Sequence, residues 1–179
     1  MSVDVSTQKA LVLVDIQNDY FTGGLWPVDD MEKVAKAARA VLNTARAAGD
    51  LVLHVYHEAA SADAPFFRPG TMGAEIHPSV APLKDEAVIL KHRPNSFHQT
   101  DLYARLNAAG IREVTIVGAM TQMCIDATAR AARDLGFDVT LVADACGARA
   151  QSFGNVTLTG PQVQAAFLGP LEMSYATII

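Results

Sequence analysis

Residues 114–133 of the chain read VTIVGAMTQMCIDATARAAR and give its clearest structural signal. The apolar, β-branched run Val114–Val117 predicts a strand, Gly118 begins a tight turn, and a helix follows from Thr121. Cys124 falls in the first turn of that helix. Unpaired backbone N–H groups and the positive end of the helix dipole stabilise an anion there, so we expect this thiol to ionise more readily than a free one. A second interpretation is a small, buried, apolar cysteine.

Two other predicted strands end in ionisable residues. The run Ala10–Val14 is followed by Asp15, and the run Ala87–Leu90 is followed by Lys91. In an open parallel α/β sheet, ligands bind beyond the carboxyl ends of the strands, so an Asp, a Lys and a Cys in such positions can converge on one crevice. Taken alone, a strand-terminal Asp is also typical of a helix cap or a turn.

Three spaced blocks of the chain resemble the signature blocks of the isochorismatase-like cysteine hydrolases. They read LVLVDIQNDYF at 11–21, ILKHRPNSF at 89–97 and VGAMTQMCIDATARAARDLGFDVTLVADAC at 117–146. The similarity runs from about Lys9 to Cys146. Because the three blocks occur in the family's order, the resemblance is specific for the superfamily, but it does not identify a substrate.

The order of the predicted elements indicates a parallel α/β fold. Helices that end in glycine precede strands in the segments AAGD, AAGI and DLGF, which is typical of βαβ units. We expect a single domain over residues 1–179. The resemblance implies a three-layer α/β/α, Rossmann-like sandwich with a six-stranded parallel sheet in the order 3-2-1-4-5-6. The predicted strands are 9–14, 51–56, 87–90, 112–117, 138–143 and 175–179.

The predicted helices leave two regions without a clear pattern. They span about 30–48, 100–109, 121–135 and 161–168, and Gly169-Pro170 interrupts the last one. Residues 57–86 contain four prolines and no periodicity, so we interpret them as a lid or pocket wall. Residues 151–160 are polar and rich in Gly and Thr.

Composition excludes several classes of protein. Half of the 179 residues are hydrophobic, 18% are charged and the formal net charge is −5, which is typical of a globular domain. No basic cluster suits a nucleic-acid partner, and no apolar run is long enough for a membrane span. The N-terminus has no pattern typical of a secretion signal, so we expect a cytoplasmic protein with reduced Cys124 and Cys146.

Asp15, Lys91 and Cys124 together suit nucleophilic hydrolysis. A thiolate attacks a carbonyl, a carboxylate takes the thiol proton and returns it to the leaving amine, and an ammonium stabilises the negative charge. The resemblance implies the same roles, with Cys124 as nucleophile, Asp15 as acid and base, and Lys91 as third member. It also implies a cis peptide between Ala119 and Met120, which turns the backbone amides of Met120 and Cys124 inward as an oxyanion hole.

The same resemblance raises the question of a metal. Nicotinamidases of this superfamily carry a metal site built from an Asp and closely spaced histidines after strand two. Here residues 56–63 read YHEAASAD, and no second histidine follows before His77. We therefore predict no metal and no cofactor, and the nicotinamidase assignment is disfavoured.

Three functions remain open from the sequence. The first is a metal-independent hydrolase of a small carboxamide or ureido compound that forms a thioester intermediate. The second is an isochorismatase proper, which hydrolyses a vinyl ether and needs no thiol, and the third is a catalytically silent oligomeric scaffold. For the first we expect a small-molecule pocket, and the apolar residues of 57–86 and the resemblance predict a homodimer or homotetramer. The pocket candidates are Gln17, Tyr20, Trp26, Phe66 and Met123.

Overall fold

A computed structural model describes residues 8–179. Residues 1–7 lie outside the described part, and so does the prediction that the N-terminus carries no secretion signal. Six parallel strands form one sheet in the order β3-β2-β1-β4-β5-β8, and a short antiparallel hairpin, β6 with β7, stands apart from it. The strands are β1 (Lys9–Val14), β2 (Leu51–His57), β3 (Ala87–Lys91), β4 (Glu113–Ala119), β5 (Asp138–Gly147), β6 (Gln151–Phe153), β7 (Val156–Leu158) and β8 (Thr177–Ile178).

The predicted fold class and strand order are confirmed, with β8 in the position of the sixth strand. The central strand β1 is covered on both faces, since its residues 10–14 are nearly inaccessible to solvent. The helices are α1 (Met31–Ala48), α2 (Leu102–Ala108), α3 (Asp126–Asp134) and α4 (Gly160–Ser174). Leu11 and Leu13 pack on the side of helix α1, and Val12 and Val14 pack on the side of helices α2 and α3.

The helix that was predicted over 121–135 is two different structures. Residues Thr121–Ile125 form a π-helical turn, and the α-helix α3 begins only at Asp126. A π-turn gives no separate signal in residue periodicity, because its side chains are those of an ordinary helix. Its consequence is that Cys124 lies in the widened turn before α3 and not in the first turn of a regular α-helix.

The C-terminal region also differs from the prediction. Helix α4 continues through Pro170 to Ser174, although we expected it to stop at Leu168. Proline removes one N–H from the helix, but Ala166, whose carbonyl loses that partner, is exposed, so water can bond it. Leu171 is fully buried just after the proline and anchors the second half of the helix.

The loops at the carboxyl edge of the sheet are fixed by short structures that the sequence did not reveal. Residues 57–86 include two 3-10 turns, Met72–Ala74 and Pro78–Val80, and Gln17 pairs with Ile76 in an isolated bridge. The segment 57–86 therefore folds back onto the residues that follow β1. Within residues 8–179, no helix is long and apolar enough to cross a membrane.

Candidate active site

Asp15 lies at the end of β1 in an unusual backbone conformation. Its φ is +52°, in the left-handed region, which an Asp tolerates better than most residues. Its N–H donates to the Val55 carbonyl of β2 at 2.9 Å, so the bend is held by the neighbouring strand. The side chain is fully buried.

Lys91 reaches Asp15 from a strand that is not adjacent to β1. In the sheet, β3 is two strands away, which corresponds to about 9–10 Å between strand axes. The lysine side chain spans this gap past the end of β2, and Nζ donates to Asp15 Oδ2 at 2.7 Å and to Cys124 Sγ at 3.3 Å. The structure therefore brings the three predicted residues into direct contact.

The Cys124 thiol is buried, and this changes its expected ionisation. Burial and the nearby carboxylate of Asp15 raise the pKa of Cys124, and the Lys91 ammonium opposes them without cancelling the increase. The expectation of a thiol that ionises readily because of its helix position is therefore wrong for the resting site. Burial in low dielectric disfavours the thiolate, and the thiol keeps its proton until a base removes it.

Lys91 stays charged in this buried site. Burial alone lowers the pKa of Lys91, but the attraction of Asp15 and Cys124 outweighs it and raises that pKa above its ordinary value. Asp15 uses one carboxylate oxygen to bind the ammonium, and in the part of the chain that the structure describes its Oδ1 has no hydrogen-bond partner. One oxygen thus remains able to accept a proton close to the thiol.

His57 completes the group, although no role was predicted for it from the sequence. Its Nδ1 lies 3.1 Å from Lys91 Nζ, and burial followed by the charge of Lys91 lowers the pKa of His57 to about 4. The ring is therefore neutral at neutral pH, with Nδ1 as acceptor. A signal existed, because His57 directly follows the predicted strand 51–56, as Asp15 and Lys91 follow theirs.

The side chains of Asp15, His57, Lys91 and Cys124 also determine whether this site suits a metal ion. Asp15, His57 and Cys124 each offer one ligand atom, and these atoms lie within 4.8 Å of one another. The ammonium of Lys91 is within hydrogen-bond distance of all three residues. A cation of the protein itself thus occupies the centre of this set, so the site as built fits an ammonium.

Gln17 was predicted to line the pocket, but its amide group is engaged by backbone. Its Nε2 donates to the carbonyls of His57 at 2.8 Å and Ala74 at 2.7 Å, and its Oε1 accepts from the N–H of His57 at 2.8 Å. The side chain is fully buried. Gln17 therefore fixes the backbone at the end of β2.

Three of the pocket candidates form an aromatic cluster beside the thiol. The ring centroids of Tyr20 and Phe66 are 5.8 Å apart, and those of Trp26 and Phe66 are 4.9 Å apart. Burial first, and then the proximity of Cys124, raise the pKa of Tyr20, which keeps its hydroxyl neutral. Met123 is 46% exposed and lies at the surface.

Asp19 organises this cluster and was not singled out in the sequence. Its buried carboxylate accepts from the N–H of Phe67 at 2.7 Å and from the N–H of Leu25 at 3.2 Å. Phe67, at φ +54°, packs on Tyr20 with ring centroids 4.6 Å apart. One carboxylate thereby ties two loops together, a contact between residues 48 positions apart that local sequence does not indicate.

The backbone next to the nucleophile candidate is also unusual. The peptide bond between Ala119 and Met120 is cis. The carbonyl of Met120 accepts from the N–H groups of Met123 at 3.0 Å and Ile125 at 3.2 Å. The two amides predicted as an oxyanion hole, those of Met120 and Cys124, thus belong to one compact turn.

An acid, a lysine and a thiol meet at the carboxyl edge of a parallel α/β sheet, a combination that can support nucleophilic hydrolysis. The Isochorismatase domain model matches residues 9–160. An uncharacterised isochorismatase family protein of Bacillus subtilis, YddQ, is 42% identical over 169 residues, 94% of each chain. The chain therefore belongs to the isochorismatase family of hydrolases.

Solved structures agree with this assignment. The crystal structure of an isochorismatase hydrolase from Oleispira antarctica superposes with a TM-score of 0.93 at 45% identity, covering 99% of this chain and 95% of that one. An N-carbamoylsarcosine amidase from Thermoplasma acidophilum gives a TM-score of 0.81 at 26% identity and covers 95% and 94%.

Proposed function

We propose that the protein is a cysteine-dependent hydrolase of a small carboxamide or ureido compound. The observation that carries the proposal is the contact of one buried ammonium, Lys91 Nζ, with both Asp15 and Cys124, while Asp15 Oδ1 has no partner among the described residues. The similarity to an amidase that is named for a carbamoyl compound supports the substrate class.

The first half of the proposed reaction makes a thioester. Asp15 accepts the proton of the Cys124 thiol, and the thiolate attacks the substrate carbonyl carbon, so a C–S bond forms. Asp15 then donates that proton to the departing nitrogen as the C–N bond breaks. The net charge of the Asp, Lys and Cys group is unchanged by the internal proton transfer, which matters because a change of net charge in a buried site is costly.

The second half returns the enzyme to its starting state. A water molecule gives a proton to Asp15 and attacks the thioester carbonyl, and the C–S bond breaks. The proton on Asp15 passes back to the sulfur, and the product is a carboxylic or carbamic acid. In both halves the negative charge on the carbonyl oxygen is stabilised by the amides of Met120 and Cys124, which we assign as the oxyanion hole.

The Lys91 ammonium has a constant role in this scheme. It stays protonated and contacts whichever partner carries the negative charge, first the carboxylate and then the thiolate. Coulomb attraction at about 3 Å in a partly desolvated site is worth several times its value in water, so this contact offsets much of the burial penalty of the thiolate.

We assign the substrate pocket to the aromatic cluster next to the thiol. Tyr20, Trp26 and Phe66 form an apolar wall, and the guanidinium of Arg149 lies 4.3 Å from the centroid of the Trp26 ring. An apolar aromatic wall of this kind suits a small acyl or ureido group. Met123 belongs to the outer rim, since its side chain is half exposed.

The test is a panel of small amides and ureido compounds, scored by ammonia release with wild-type protein and the Cys124→Ala variant. We expect wild type to release ammonia and the variant to be inactive. Rapid-quench samples analysed by intact mass should show an acyl adduct on wild type. Hydrolysis that survives in Cys124→Ala would exclude the covalent mechanism and would favour proton-driven chemistry such as vinyl-ether hydrolysis.

A further inference from the structure

The ammonium of Lys91 has as many acceptors as it has hydrogens. It has three N–H bonds, and three acceptor atoms lie around it: Asp15 Oδ2 at 2.7 Å, His57 Nδ1 at 3.1 Å and Cys124 Sγ at 3.3 Å. Asp15 and Cys124 take part in the proposed reaction. His57 is a neutral ring that neither donates nor accepts a proton in that reaction.

His57 lies on the path that the lysine side chain must take. In the parallel pairing of β2 with β3, His57 and Lys91 are register partners at the carboxyl ends of their strands. Lys91 has to pass the end of β2 in order to reach Asp15 on β1 and Cys124 after β4. Holding a flexible four-carbon chain in one path across a strand costs side-chain entropy, so contacts at its end have to offset that cost.

The histidine is itself held in place. Gln17 bonds both its N–H and its carbonyl, each at 2.8 Å, and the next residue, Glu58, donates its N–H to the Lys91 carbonyl at 3.1 Å. With Nδ1 accepting from the ammonium, the neutral ring carries its proton on Nε2. The backbone from which the ring projects is therefore fixed by contacts on both strands.

We propose that His57 is a positioning residue: by accepting the third hydrogen of Lys91, it holds Nζ against Cys124 Sγ and so sustains the thiolate during turnover. The importance of this His57–Lys91 contact for catalysis rests on the proposed function. Without this acceptor, the ammonium is free to turn toward Asp15 alone, and the thiolate loses the contact that stabilises it.

The test compares two nearly isosteric variants, His57→Leu and His57→Asn. Asn places its side-chain oxygen close to the position of Nδ1 and can accept from the ammonium, whereas Leu cannot. The readout is the rate of iodoacetamide alkylation at Cys124, mapped by peptide mass from pH 6 to pH 10, with the melting temperature as a folding control. Because alkylation needs no substrate, this readout is independent of the proposed amide hydrolysis.

We expect His57→Leu to alkylate about tenfold more slowly at neutral pH, with its pH profile moved upward, since a hydrogen bond to a charged group typically contributes at least that factor. His57→Asn should restore the rate to within about threefold. In a Lys91→Met background, His57→Leu should cause no further loss, because the histidine acts through the lysine.

Three results would overturn the assignment. They are an unchanged alkylation profile in His57→Leu, an Asn variant that is as slow as the Leu variant, and an equal loss from His57→Leu with and without Lys91. If His57→Leu does not fold, the comparison of Asn with Gln replaces it, because Gln carries its oxygen beyond the Nδ1 position and should not rescue. Amide turnover that survives in Cys124→Ala would contradict the proposed function, but it would not affect the outcome of this alkylation test.

Discussion

The two cysteines of this chain are buried to the same extent but have different surroundings. Cys124 is 4% exposed and Cys146, on β5, is 3% exposed. Burial raises the pKa of both thiols, that of Cys146 to about 12. The Cys146 thiol points to the carbonyl oxygen of Ile116 at 3.9 Å, whereas the Cys124 sulfur contacts the ammonium of Lys91.

We propose that this difference makes Cys124, and not Cys146, the nucleophile. Burial alone disfavours the thiolate in both places, and being next to a helix start does not reverse that for Cys124. What distinguishes Cys124 is a permanent cation in contact with the sulfur and a carboxylate with one oxygen free to take the proton. In the proposed mechanism the reactivity of Cys124 thus depends on Lys91 and Asp15, which lie at the ends of two other strands, β3 and β1.

The largest expected effect separates the two cysteines directly. Cys124→Ala should lower turnover of an amide substrate to below about a thousandth of wild type, because no other group in the site replaces the nucleophile. Cys146→Ala should stay within twofold in turnover and lose about 1 kcal/mol of stability, through a small cavity in the core. The measurements are ammonia release and denaturant unfolding. A large loss of turnover in Cys146→Ala would mean that the two thiols are assigned the wrong way round.

A second variant separates the base from the cation. Asp15→Asn should lower turnover by about 10²–10⁴-fold, since the amide cannot carry the proton. Alkylation of Cys124 should nevertheless shift to lower pH, because the carboxylate that raises the thiol pKa is gone and Lys91, which lowers it, remains. Slow turnover with a more easily ionised thiol is therefore the expected signature. If both rates fall together, Asp15 acts by holding Lys91 in place and not as the base.

A third variant tests whether an ion pair that does not contact Cys124 affects turnover or only the stability of the fold. Glu86 accepts from Arg46 at 2.6 Å and 2.7 Å and lies 2.9 Å from the buried His54 ring, away from Cys124. Glu86→Gln should cost about 1–3 kcal/mol of stability and leave turnover within twofold. Unfolding and ammonia-release assays on the same sample check both values, and a tenfold loss of turnover would contradict the separation of the two clusters.

The pH dependence of Glu86 has a defined sign. Its bonds to Arg46 hold the pKa of Glu86 at about 2, below its unfolded value of about 4.5. The stabilisation is therefore present above pH 4.5 and is lost as the pH falls toward 2. Glu86→Gln should lack this part of the acid sensitivity.

The smallest effect concerns His57 and lies in a different pH window. Its folded pKa, about 4, is below the ordinary 6.5 because of burial and Lys91, so its contribution to stability is lost as the pH falls from about 6.5 to 4. Between pH 7 and pH 5.5, wild type should lose about 1 kcal/mol relative to His57→Asn. Unfolding curves at these two pH values test this, and parallel curves would show that the ring is already charged or free of Lys91.

The fold was largely predictable because its signals are local. Continuous apolar runs identify the strands β1 to β5, glycines mark helix ends, and the family resemblance supplies the strand order. Asp15, Lys91 and Cys124 were found because each follows a strand at the same edge of a parallel sheet. The homodimer or homotetramer stays a prediction, which sedimentation can test.

The remaining features depend on contacts between distant parts of the chain. The organising roles of Asp19 and Gln17 could not be predicted because each bonds a residue 40 or more positions away, Phe67 for Asp19 and His57 for Gln17. The role of His57 required the register between β2 and β3, which the sequence does not specify. The hairpin β6–β7 was missed because its strands have only three residues each, too few for a periodic pattern.

Gly118 carries a consequence for attempts to give this enzyme a new substrate. Its φ is +133°, and a Cβ at this position would overlap the carbonyl oxygen of Val14, so the backbones of β1 and β4 meet there without any side chain between them. The separation of acid and thiol is thereby a property of the main chain. Directed evolution should find residue 118 immutable, and variation in specificity should come from the aromatic loops around residues 20–26 and 66, which we propose to line the substrate pocket.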